Sequence, residues 1–167
     1  VIAAESGAFV TARARVGGKG SLPLIIFVVP DFAALQLNRF SADRGAWPPP
    51  DGALLVERDV LDLIDARIGD VLTVQTNRGD LEALSIAGTV HDPGLAPAWQ
   101  EQTVYAYATP ATVAALGETP QGVLKVKTEG DAATVVTDLA VWLGAQGVDV
   151  DQIRIPPAKQ HPHQSQL

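Results

Sequence analysis

The chain has 167 residues, with 19 acidic against 12 basic side chains and a formal net charge of −7. Hydrophobic residues make up 47% and charged ones 19%, a balance that excludes intrinsic disorder. An acidic chain without a basic run excludes nucleic-acid binding, which needs clustered Lys and Arg on phosphates. There is no Cys, so disulfides, thiolate metal sites and Cys nucleophiles are excluded together. The longest apolar stretch, residues 22–29, is broken by Pro23 and falls short of the roughly 20 residues of a spanning helix. With Val1 at its start, no Met and no signal-peptide pattern, the chain reads as a piece of a longer protein.

In residues 8–16, Val10, Ala12, Ala14 and Val16 alternate with Thr11, Arg13 and Arg15, which predicts a half-buried strand. Arg13, Arg15 and Lys19 form a local basic patch that reads as the exposed face of that strand. After the flexible 17–21 break, residues 23–29 run apolar without alternation and predict a strand covered on both faces. Asp31 is placed to cap a short helix from 32 to about 40 with Phe32, Leu35 and Phe40 inward. The Trp47-Pro48-Pro49-Pro50-Asp51-Gly52 run reads as a rigid surface connection. A short strand at 53–56 precedes a helix at 58–68, with Val60, Leu61, Ile64 and Ile68 on one stripe and Gly69 at its end.

The runs 71–75 and 81–90 flank Thr76-Asn77-Arg78-Gly79-Asp80 and predict a hairpin. Residues 91–98 read as a loop. A strand follows at 104–108, and Thr109-Pro110 opens a short helix stopped by Gly117. The last third predicts a strand at 123–127, a helix from the Asp131 cap to about 146 and a final strand at 148–155. Its apolar stripe of Val135, Leu139, Trp142 and Leu143 is expected to cover the sheet. Strand 9–16 is expected to share that sheet with 123–127 and 150–155. The whole reads as an α+β, mixed α/β chain whose central hairpin region is separable from the final strand–helix–strand unit, followed by a polar tail.

Several residues invite chemistry. His161 and His163 flank Pro162, but a metal needs further ligands on a fixed scaffold, so the pair reads as a solvated tail and no metal is expected. Asp59, Asp62 and Asp65 recur every three residues, as the solvated face of a helix does. His91-Asp92 ends a strand beside a Pro/Gly loop and Trp99, which is suited to a general base or a binding loop. No nucleophile motif, glycine fingerprint or phosphate loop accompanies it. No catalytic residue, cofactor or enzyme activity is therefore expected. Trp47, His91, Asp92 and Trp99 are the candidate partner or ligand contacts.

The run from Trp47-Pro48 to Asp51, then Ala53-Leu54-Leu55-Val56-Glu57-Arg58, then Arg67-Ile68-Gly69-Asp70-Val71-Leu72-Thr73-Val74 resembles the extracytoplasmic core domain of MacB-like and FtsX-like ABC transporter permeases. Leu84 to Val90 is similar to that family's apolar strand ending in a Gly-x-Val pattern, and Pro156-Pro157 to Gln164 to the stretch before its second membrane helix. The resemblance spans roughly residues 22–165. It implies a membrane-proximal strand–helix–strand lobe of residues 1–16 and 119–156, an inserted β-rich distal lobe with short helices at 17–118, and a juxtamembrane tail at 157–167. It implies an extracytoplasmic, periplasm-facing part of a cell inner-membrane transport protein. ATP would be hydrolysed by the transporter's own ATP-binding subunit, and motion passed to a protein partner or an exported substrate. The alternatives are an extracytoplasmic small-molecule-binding module using the 91–99 loop, and a hydrolase using His91.

Overall fold

The computed structural model describes residues 1–37 and 40–156. Strands β1 (Ala3–Val16), β2 (Gly20–Val28), β3 (Ser41–Gly45) and β4 (Ala53–Glu57) precede helix α1 (Arg58–Ile64). Strands β5 (Val71–Gln75) and β6 (Leu81–His91), helix α2 (Ala98–Glu101), β7 (Val104–Ala108) and α3 (Pro110–Ala115) follow, then β8 (Gln121–Lys127) and α4 (Ala132–Ala145). The fold is α+β.

Six strands close on themselves in the order β2-β7-β4-β6-β5-β1, because β1 and β2 also pair. The β2–β7 and β4–β6 pairs are parallel and the other pairs of the ring antiparallel. Closure removes exposed edges and encloses Val10, Ala14, Leu24, Ile26, Leu54, Val56, Val74, Ile86 and Val104, each nearly or fully inaccessible. A second cluster outside the ring gathers Val29, Phe32, Phe40, Leu55, Val90 and Tyr107.

Two long strands change partner along their length. The second half of β1 pairs with β2 and β5, while Ala3 to Phe9 pair with Lys127 to Gln121 of β8. The first half of β6 pairs with β5 and its end with β3. At that second crossing Gly88 is needed: a Cβ on it would stand 2.5 Å from the Arg44 carbonyl oxygen. Gly45, with φ +85°, presses as closely on the Ala87 carbonyl.

The alternation of 8–16, the hairpin, the Thr109 cap and the Asp131 cap stand as expected; Thr109 Oγ1 accepts from Thr112 N–H and Asp131 from Ala133 and Thr134 N–H. Other expectations are corrected. Residues 31–37 form turns, with Asp31 accepting from Ala33 N–H, although Phe32 and Phe40 do face inward. Helix α1 stops at Asp65, whose left-handed backbone (φ 52°) ends it before Ile68, which is exposed. In β2, Leu24, Ile26 and Val28 are buried while Ile25 and Phe27 are half-buried, because the ring covers one face and shorter loops the other.

The largest correction concerns the C-terminal part. Residues 148–156 form no strand, so the strand–helix–strand lobe has a strand and a helix only. Trp142 is 58% exposed rather than buried, and α4 carries no buried residue. Residues 10–16 pair within the ring, and the link to β8 is made by the preceding residues 3–9.

Candidate functional site

The parallel pairing of β4 with β6 brings the carboxyl ends of both strands together, Glu57 beside Val90 in register. Glu57 is 5% exposed; its Oε2 accepts from Asp59 N–H at 2.7 Å and so caps α1. Its Oε1 lies 3.5 Å from His91 Nδ1, an ion-pair distance. That Nδ1 is buried and makes no hydrogen bond, whereas the His91 side chain as a whole is 43% exposed. A buried carboxylate thus faces the inner nitrogen of a ring open to solvent.

One residue on, the chain turns into a pocket wall. Asp92 Oδ2 accepts from the Tyr107 hydroxyl at 2.6 Å and Oδ1 from Gly94 N–H at 2.9 Å, an Asx turn made rigid by Pro93. Tyr107 comes from the central strand β7, flanked by β2 and β4, and is 1% exposed. Burial first, and the neighbouring Asp92 carboxylate second, push its hydroxyl far above the usual tyrosine range. The hydroxyl therefore stays protonated and donates to Asp92. Phe27 and Phe40 stack on the Tyr107 ring with centroids 5.2 and 4.5 Å away.

These groups line a cleft of about 550 Å³ between the ring and the β1–β8 ribbon. Its walls are Phe9, Phe27, Phe40, Leu95, Tyr107 and Val123, with Glu5, Asp92 and Lys125 as its charged groups. Glu5 Oε2 accepts from the N–H groups of Gln36 and Leu37, which ties the loop after β2 onto β1 and closes one side. Lys125 stands directly across from Glu5 on β8. A second depression of about 570 Å³ near α1 mixes Arg44, Arg58 and Arg67 with Asp62 and Asp65.

The four sequence candidates are split by the fold. Asp92 lines the cleft. His91 faces Glu57 instead. Trp47 packs edge-on against Phe32 and Phe40, with ring centroids 5.1 and 5.9 Å away, and pins its proline-rich connection to the aromatic cluster. Trp99 on α2 is 63% exposed and lines neither depression. Sequence reasoning did not single out Glu5, Phe40, Tyr107 or Lys125 as site residues. They come from four distant segments and meet only through strand pairing. The signal in reach was the Tyr105-Ala106-Tyr107 strand, whose residues are buried on both faces because the strand is central. Of the three aspartates expected on a solvated face, Asp62 and Asp65 are exposed and Asp59 is half-buried. His161 and His163 lie outside the described residues. Among the described residues no cluster of three His, Asp or Glu is placed to hold a metal ion. Among them, too, no helix is long and apolar enough to cross a membrane.

Searched against family models and against curated proteins, the chain matches none.

Proposed function

We propose that the chain is a non-catalytic coupling domain of an ABC transporter permease of the MacB-like and FtsX-like type, standing outside the cytoplasm and passing ATP-driven motion to a protein partner or an exported substrate. The observation that carries this reading is β1. It is one unbroken strand of 14 residues, half of it in the closed ring and half holding β8 and, through it, α4. A strand hydrogen-bonded along its length transmits displacement better than a loop, because its ladder bonds restrain the φ and ψ that a loop leaves free. In this reading residues 1–9 and 119–156 form the membrane-proximal part and the ring, within residues 10–118, the distal one. The ordered sequence motifs from Trp47 to Val90 support it. The test is the coding sequence on both sides of these residues. Two stretches of about 20 apolar residues flanking them support the proposal, and soluble flanks overturn it.

A second reading, a small-molecule-binding module using the 91–99 loop, is favoured by one observation: residues 92–95 of that loop wall the 550 Å³ cleft. Pockets of roughly 300–1,000 Å³ with apolar walls and few polar groups are the usual small-ligand sites.

A further inference from the structure

The cleft has an unfilled floor. Glu5, Gly7 and Phe9 alternate on one face of β1 and all line it. A Cβ built on Gly7 would meet no atom within 4 Å, and its backbone is not left-handed, so its glycine is not required by conformation. A glycine in a strand interior without a backbone reason marks close approach of something else.

The charges then narrow what approaches. Glu5 and Lys125 oppose one another across β1 and β8, and opposite charges in that position offset each other. Asp92 is different: both of its bonds come from neutral donors, the Tyr107 hydroxyl and the Gly94 N–H. An ionised carboxylate offers about four acceptor sites, so two remain for a ligand. Phe9, Phe27 and Tyr107 supply aromatic walls beside it. Aromatic faces attract cations and accept alkyl chains, and a carboxylate repels anions.

We infer that the cleft binds a small amphipathic amine, its apolar body over Gly7 between Phe9 and Phe27 and its ammonium group on Asp92. This rests on the small-molecule reading above and names its ligand class. The test uses the full chain and a neutral fluorescent probe, N-phenyl-1-naphthylamine, displaced by octylamine or by octanoate at neutral pH. The expected result is saturable probe binding that weakens at least about tenfold in Gly7→Leu, which fills the floor without straining the backbone. Octylamine should displace the probe about tenfold more strongly than octanoate, and Asp92→Asn should remove that preference. Probe binding that Gly7→Leu weakens but octanoate displaces as well as octylamine overturns the amine assignment and leaves the binding module standing. Absent probe binding, or binding that Gly7→Leu leaves unchanged, overturns both.

Discussion

Helix α1 meets the expectation its sequence sets and helix α4 reverses it. Helix α1, Arg-Asp-Val-Leu-Asp-Leu-Ile, has three charged residues in seven, yet Val60, Leu61, Leu63 and Ile64 are all buried. Helix α4 has 14 residues and a single charge, Asp138, yet none of its residues is buried. The difference lies in what each faces. The buried side chains of helix α1 belong to the core cluster that the ring encloses, while α4 packs closely against no other described element. Apolar content therefore does not make a core here; closure of the sheet does. The same contrast runs along β1, where Val10, Ala12, Ala14 and Val16 are buried in the ring and none of residues 3–9 is.

If the ring holds the stability, the largest loss comes from emptying it. Leu54 is fully buried on β4, and Leu54→Ala should cost about 2–5 kcal/mol, read as a lower urea midpoint at unchanged slope. A cost below about 1 kcal/mol would show that the ring is not the packed unit.

Tyr107→Phe sharpens the comparison at the wall between ring and cleft. It removes one hydrogen bond to a carboxylate and should cost about 1.5–3 kcal/mol. It should also change the alkaline limb. The folded state holds the Tyr107 proton above the pH at which an unfolded tyrosine releases it. Stability from this group is complete below about pH 10 and falls above it, by up to about 1.4 kcal/mol per pH unit. Equilibrium unfolding between about pH 9 and 11 should show a shallower fall in Tyr107→Phe than in the parent chain.

Helix α4 should respond at the acid end instead. The Thr134 hydroxyl first, then the N–H groups of Thr134 and Ala133, hold the Asp131 carboxyl below its ordinary value of 3.8. A depressed carboxylate stabilises the folded helix above its unfolded value and loses that effect as pH falls through the folded one. The protection factors of amides at the start of α4 should fall on acidification, and Asp131→Asn should make them independent of pH in that range. Amides of β4 should not follow.

The smallest effect is expected at the largest side chain of α4. Trp142 is 58% exposed, so Trp142→Ala should change global stability by no more than about 0.5 kcal/mol. A loss comparable with that of Leu54→Ala would place Trp142 in a core after all.

How much was legible in the sequence follows the same division. Where a local signal sets structure, reading succeeded: the alternation at Val10 to Val16, the Asn-Arg-Gly turn at 77–79, the Thr109-Pro110 and Asp131 caps. Where pairing partners decide, it did not. Strand β3, Ser-Ala-Asp-Arg-Gly, is exposed throughout and carries no apolar period; it exists because the end of β6 offers it an edge. The Val-Asp-Val-Asp run at 148–151 alternates like a strand, but the described chain forms none there. At the candidate site, Asp92 was legible from its Pro/Gly loop and position at a strand end. Its partner Tyr107 lies 15 residues away, and Glu5 and Lys125 are brought to the same cleft from opposite ends of the chain. Only the register of β1 against β8 and the order of the ring place them together.

Native-state hydrogen exchange on the full chain tests the central claim most directly, because it reads the ring and α4 in one sample. The account predicts that amides of β4 and β7 exchange only through global unfolding, while those of α4 exchange through local opening at a small fraction of that free energy. Protection of α4 equal to that of β4 and β7 would contradict it, since helix and ring would then be one cooperative unit.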